Sequence, residues 1–221
     1  MSVRELFYHL LTAGSPKEES RLLPETAESL FSNLPTLETP RLLLRAVSMR
    51  DTKDLYEYSK DPEVAQYVLW DAHESIAQTR AYLRFILRQY RNGEPTSYGI
   101  VLKETGKVIG TIGFMWLNIE NRAAEVGYSL SRDYWNRGLM TEALEAVLRF
   151  SFDRLKLNRV EAQFDTRNPA SGRVMHHCGM KSEGTLRQRI YNKGRYVDVE
   201  IYSIVAEEYK KGGTTDEVDG L

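Results

Sequence analysis

The chain has 221 residues, 42% hydrophobic and 28% charged, which suits one globular domain with a sizeable core. A net charge of −1 gives no overall basic field for nucleic acid, and a single cysteine, Cys178, excludes an internal disulfide and fits a reducing compartment. No apolar run approaches the ~18 residues of a membrane span and the N-terminus lacks a signal-peptide core. The expectation is a soluble, cytoplasmic monomer or homodimer with neither a membrane nor a nucleic-acid partner.

In chain order, Val3, Leu6, Phe7, Leu10 and Leu11 carry helical spacing that Gly14-Ser15-Pro16 ends. A second helix is expected from Lys17 to Phe31, stopped by Pro35. Residues 1–36 thus form an N-terminal helical extension, either docked on the core or a partner subunit, or acting as a lid. Arg41 to Ala46 is the first expected strand, followed by a helix from Met49 to Ser59. Asp61-Pro62 starts a helical turn, and a longer helix covers Glu74 to Arg91. Tyr98 to Lys103 and Lys107 to Trp116 read as strands joined at Glu104-Thr105-Gly106. A strand-like run from Ala123 to Leu130 holds a carboxylate, Glu125, in its middle.

The most informative stretch is Tyr134 to Ala143. Asn136 and Gly138 supply a turn, and Gly138 lets backbone approach a ligand. Met140, Ala143, Leu144, Val147 and Leu148 then define one buried face of a helix running to about Leu155. The first N–H groups of such a helix lack internal partners and sit at the positive end of its dipole, which suits a phosphate or pyrophosphate. No Gly-Lys-Ser/Thr follows, so this is not a Walker loop, and a third glycine is missing for a dinucleotide fingerprint. Further on come a strand at Arg159 to Phe164, a helix opening at Asn168-Pro169-Ala170-Ser171 and closed by Gly179, and strands at Lys181 to Tyr191 and Tyr196 to Val205. Asn192-Lys193-Gly194 makes the hairpin between the last two. Residues 210–221 read as a disordered acidic tail.

This order of motifs resembles the GNAT superfamily of acyl-CoA-dependent N-acetyltransferases, in which a strand ends in a loop of pattern Gln/Arg-x-x-Gly-x-Gly/Ala, here Trp135-Asn136-Arg137-Gly138-Leu139-Met140. The details are most similar to the branch of ribosomal-protein N-terminal acetyltransferases. That branch shares the Leu37 to Arg45 opening, the Trp before the loop, the Thr-Glu-Ala after it, and the Asn-x-x-Ser of Asn168 to Ser171. The resemblance spans residues 37–209. It implies an α/β (α+β) fold: a mixed, mostly antiparallel seven-stranded sheet, flanked by helices and splayed between the Glu125 and Arg159 strands, with the cofactor entering that cleft. It further implies that acetyl-CoA, as co-substrate, gives its acetyl group directly to a primary amine, a protein N-terminal amine among the candidates. The rivals are a small amine acceptor (polyamine, amino acid or aminoglycoside) and a non-catalytic acyl-CoA sensor.

Acetyl transfer needs a held thioester, a deprotonated amine, oxyanion stabilisation and a proton for the leaving thiolate. The loop Asn136, Arg137, Gly138, Leu139, Met140 and Thr141 is the candidate pyrophosphate clamp, mainly through its backbone. The resemblance assigns the backbone of Tyr128, Ser129 and Leu130 to the pantetheine arm; Asn168 is a candidate to hydrogen-bond the pantetheine, with a strand-to-helix cap as its alternative role. Glu125 is the candidate base, because a carboxylate inside a central strand is costly unless paired, hydrated or functional, and partial desolvation would raise its pKa. The alternative is a structural Glu paired with Arg122 or Arg132. Many relatives carry a Tyr seven residues after the motif Asn as acid; Met175 stands there, so Ser171 is the next candidate at the CoA sulfur, with helix-end packing as its plainer role. Trp70 and the hairpin residues Tyr191, Arg195, Tyr196 and Asp198 are acceptor-site candidates, with pairing and solubility as the alternative. His176, His177 and Cys178 do not form a metal set, because adjacent helical residues diverge. No metal is expected.

Overall fold

The computed structural model describes residues 24–212, so the stripe from Val3 to Leu11, the start of the second expected helix and the tail beyond Gly212 lie outside the described residues. Helix α1 (Pro24–Ser32) buries Ala27 and Phe31, and the Phe31 ring meets Phe114 edge-on at 5.4 Å. The described part of the N-terminal extension is therefore packed into the core.

Eight strands form one sheet, not seven. They are β1 (Leu37–Glu38), β2 (Leu42–Arg45), β3 (Ser97–Leu102), β4 (Val108–Asn118), β5 (Ala123–Leu130), β6 (Arg159–Asp165), β7 (Lys181–Asn192) and β8 (Arg195–Val205), in the spatial order β1-β2-β3-β4-β5-β6-β8-β7. The extra strand is the two-residue β1, which pairs antiparallel with Leu43 and Leu44 and is too short to leave a period-2 signal. Every neighbouring pair is antiparallel except β5 and β6.

The helices are α2 (Thr52–Ser59, after a 3₁₀ turn at Met49–Asp51), α3 (Pro62–Ala65), α4 (Ile76–Asn92), α5 (Leu139–Asp153), α6 (Pro169–His177) and α7 (Ala206–Gly212). Helix α4 is amphipathic. It begins with a capping box from Ser75 and Gln78 and ends where Gly93 turns left-handed. The apolar residues of α5 and α6 join Leu42, Ile100, Ile112, Val126, Val160 and Ala162 in the main core. A second core, on the other face of the sheet, gathers Leu55, Tyr58, Val64, Leu83, Ile86 and Tyr90 from α2, α3 and α4. Two layers of helix thus sandwich the sheet, as expected when each strand buries alternate residues on opposite faces.

The join between the half-sheets is short. Only Ala123, Ala124 and Glu125 pair with Arg159, Val160 and Glu161, and beyond that point β5 and β6 part. The expected cleft lies there.

Candidate active site

On β5 the alternation is sharp. Ala124, Val126 and Leu130 are buried in the α5–α6 core, while Glu125, Gly127 and Ser129 face the α2–α4 side. The register between β4 and β5 slips at Met115, a bulge that brings Trp116 directly opposite Glu125. Trp116 Nε1 donates to Glu125 Oε2 at 2.8 Å, and Gln163 Nε2, from β6 across the cleft, donates to Oε1 at 2.9 Å. Both are neutral donors, so the carboxylate is held in place without being neutralised. The alternative pairing with Arg132 does not occur: that guanidinium forms ion pairs with Asp61 (2.8 Å) and Glu63 (2.9 Å). Glu125, Trp116, Gln163, Glu161 and Arg189 share a cavity of about 180 Å³.

On the opposite face, Tyr128, Asn168 and Ser171 come together. The Tyr128 hydroxyl donates to the Ser171 carbonyl at 3.0 Å, and burial drives this phenol far above its ordinary pKa, so it stays a donor. Asn168 Nδ2 donates to Ser171 Oγ at 3.1 Å, which leaves the serine proton free to point elsewhere. A Cβ on Gly172 would lie 2.6 Å from the Phe164 ring, so the glycine is what lets α6 press onto β6 and fixes Ser171 at the cleft. Met175 is only 2% exposed and belongs to the main core, so the place of the missing acid is a packing position here.

The loop before α5 turns through two left-handed residues, Asn136 (φ 58°) and Gly138 (φ 69°). No side chain caps the helix that starts at Leu139, so the N–H groups of its first turn are not taken up by a capping side chain. The Arg137 guanidinium lies over the Tyr134 ring at 5.5 Å. Trp135 Nε1 donates to the Leu130 carbonyl at 2.8 Å, tying the loop to the end of β5.

The opening motif has its own task. Glu142, in the first turn of α5, accepts hydrogen bonds from Thr39 Oγ1 (2.6 Å), Arg41 N (2.8 Å) and Arg41 Nε (2.6 Å), and Arg41 Nη1 donates to the Arg137 carbonyl at 2.9 Å. Burial pushes the Glu142 carboxyl upward, but these donors outweigh it and hold the pKa below the ordinary value. A depressed carboxylate contributes stability that is present above its unfolded pKa and is lost as pH falls through the folded one. Urea unfolding between pH 6 and pH 3 is therefore expected to show stability declining with acid, and Glu142→Gln should flatten part of that decline. Equal pH slopes for the two proteins would remove the clamp from the stability account.

At the β7–β8 hairpin, Lys193 Nζ donates to the carbonyls of Val68 (2.7 Å) and Trp70 (3.0 Å), and Asn192 Nδ2 also reaches Val68 O at 3.2 Å. The β7–β8 hairpin is thereby latched to the α3–α4 connection, which brings Trp70 and the hairpin to one region. Trp70 is half-buried and its ring lies 5.7 Å from that of His73. Tyr191 and Tyr196 form an exposed edge-to-face pair at 5.1 Å. Asp198 is already engaged, since its Oδ1 accepts from Gln188 N at 2.7 Å. A cavity of about 580 Å³ beside the latch is lined by Gln66, Arg167, Lys193 and Arg195.

Among the described residues no group of three or more His, Cys, Asp or Glu could hold a metal. His176 and His177 are exposed, and burial pushes the Cys178 thiol up to about 12, which makes it a poor nucleophile. No described helix is long and apolar enough to cross a membrane. Sequence reasoning missed Trp116, Gln163 and Arg189; Gln163 shares the β6 face of Glu161, so strand alternation alone points it toward Glu125.

The sheet thus opens between two parallel strands, with a left-handed loop and a helix start without a side-chain cap on one face and a hydrogen-bonded carboxylate on the other. Residues 41–181 match the family described as acetyltransferase (GNAT) domain. The uncharacterized N-acetyltransferase p20 of Bacillus licheniformis is 36% identical over 79% of this chain and 98% of its own length. The ribosomal protein uS5-alanine N-acetyltransferase of Escherichia coli is 25% identical over 82% of this chain and 97% of its own. A GNAT-family acetyltransferase from Bacillus anthracis superposes with a TM-score of 0.71 at 25% identity, covering 78% of this chain and 99% of that one. The chain belongs to the GNAT acetyltransferase family and is an acyltransferase.

Proposed function

We propose that this enzyme acetylates a primary amine with acetyl-CoA by direct transfer, and that Glu125 takes the proton from the attacking nitrogen. The observation that carries this is the position of Glu125: at the last residue of β5 that pairs with β6, held by two neutral donors, and open to a cavity where the half-sheets part. A general base must reach the proton it removes and still be free to accept it.

Acetyl-CoA supplies an activated acetyl thioester. The fit rests on three features. The loop from Asn136 to Thr141 offers backbone N–H groups at a helix start, and a Cβ on Gly138 would find only Arg41 Nη2, at 3.6 Å, so the cradle is open. The edge of β5 from Tyr128 to Leu130 is not paired by β6, which leaves backbone for an extended arm, although the Leu130 carbonyl already has an indole donor. Asn168 and Ser171 stand together, and on this reading Ser171 gives its hydroxyl proton to the leaving sulfur. Trp70, Tyr191 and Tyr196 border the acceptor region, whereas Asp198 contributes by holding backbone.

A protein N-terminal amine is the favoured acceptor class, on the likeness to the uS5-alanine enzyme across 82% of this chain and 97% of that one. Such an α-amine titrates near ~8, within easier reach of a carboxylate base than a lysine at ~10.4. The reading is tested by thiol release from acetyl-CoA across a panel of peptides, amino acids, aminoglycosides and polyamines. Within it, Ser171→Ala should lower turnover at saturating acetyl-CoA by about 10-fold or more, and Met175→Ala should act on thermal stability instead. Turnover equally indifferent to both changes would take the serine out of the reaction.

A further inference from the structure

The cavity beside Glu125 contains a second charge that the proposed reaction does not use. Arg189 lines the same 180 Å³ space, and its guanidinium makes no hydrogen bond or ion pair among the described residues. Nor is it there by simple strand alternation. Leu186 pairs with Val199 and Ile190 with Val197, so Arg187, Gln188 and Arg189 stand opposite Asp198 alone. This wide bulge needs a left-handed Gln188 (φ 52°), an unusual conformation for a residue with a side chain, and the Asp198 carboxylate holds it by accepting from Gln188 N at 2.7 Å. Bulges beside sites commonly re-aim a side chain, and this one sets Arg189 at the cavity.

No carboxylate around the cavity forms an ion pair with that guanidinium. Glu125 is bonded to Trp116 and Gln163. Glu161, the other carboxylate in the cavity, is paired with Arg159 at 2.8 Å. The 580 Å³ cavity beside the latch is lined by three cationic side chains and no carboxylate: Arg167 is paired with Asp165, Lys193 is used by the latch, and Arg195 has no partner among the described residues. The small cavity lies below the ~300–1,000 Å³ of sites for drug-sized ligands, so it fits one compact polar head.

Building on the acetyl-transfer reading, we infer that the acceptor carries a carboxylate within a few atoms of its reacting amine, that Arg189 binds it, and that Asp198 is the positioning residue that holds Arg189 in place. One wall takes the amine and the other takes the anion. A polyamine, with a second cation where the anion belongs, meets Arg189 unfavourably. The carboxylate has two sources: the α-carboxylate of a free amino acid, or an acidic side chain next to a protein N-terminus.

The test compares kcat/KM, referred to the concentration of free amine, for acceptors with and without the anion: alanine against alaninamide, and peptides beginning Ala-Glu against Ala-Gln, with spermidine as the cationic control. A carboxylate bonded to a guanidinium should favour the acidic member of one pair by about 10- to 100-fold, and which pair responds names the source. Arg189→Gln should bring that pair to within about twofold, and Arg189→Lys should restore part of the gap. Asp198→Asn should narrow it chiefly through KM, with kcat little changed, which a merely structural aspartate would not do. Equal rates within both pairs, a gap that survives Arg189→Gln, or spermidine as the best acceptor each overturns the inference while acetyl transfer stands. Absence of thiol release with every acceptor overturns the transfer reading itself, and the inference with it.

Discussion

Replacing Glu125 with Gln is expected to lower turnover at neutral pH by about 10²–10⁴-fold, the usual contribution of a positioned base, while affinity for acetyl-CoA stays nearly intact. The change keeps size and shape but removes the proton acceptor. Folding should survive it. Both partners of the carboxylate are donors, and the Gln163 amide can turn over to offer its oxygen to the new amide nitrogen while Trp116 keeps an acceptor. The defect should shrink as pH rises toward the pKa of the amine, about 8 for an α-amine and about 10.4 for lysine, because free base is then present without help. Steady-state rates from pH 6 to 10 with one acceptor would check this. Unchanged turnover at neutral pH would make Glu125 a strut for Trp116 and Gln163.

The second large effect belongs to Gly138. Its φ of 69° costs an L-residue about 1–2 kcal/mol, and more for a β-branched one, while space alone would admit a Cβ. Gly138→Val should therefore lower acetyl-CoA affinity by more than about 10-fold by re-aiming the N–H groups of the first turn of α5. Gly138→Asn should be milder, since asparagine tolerates this conformation, as Asn136 already does at φ 58°. Calorimetry on folded variants decides it. Undiminished affinity in Gly138→Val would remove the loop from the binding site.

Much of the fold is legible in the sequence because its elements obey local periodicity. The alternation on β5, the apolar spacing on α5 and the Asn-Lys-Gly hairpin all stand where the pattern puts them. Strand β1 and helix α7 escape for opposite reasons. Two residues carry no period, and Ala206-Glu207-Glu208-Tyr209-Lys210-Lys211 has the composition of a solvated tail until Tyr209 stacks on Phe152 at 4.6 Å.

The site is less legible than the fold. Glu125 and Ser171 stand out by residue type and spacing, but the partners of Glu125 come from a bulge on β4 and a strand 38 residues away. Arg189 needs a three-residue irregularity in β7 that alternation cannot foresee, and Asp198 changes meaning once its bond to Gln188 is known. Long-range register, not residue chemistry, was the missing information.

The join of the half-sheets at one end of the cleft and the Lys193 latch at the other have a kinetic consequence. On the proposed reading the opening they frame is entered through two mouths, by the cofactor from the side of α5 and α6 and by the acceptor from the side of α2 to α4. Two ligands entering by opposite mouths do not block each other's path. Neither then has to arrive first, and neither product has to leave before the other, so addition and release in random order through a ternary complex is the natural kinetic scheme for a framework of this shape.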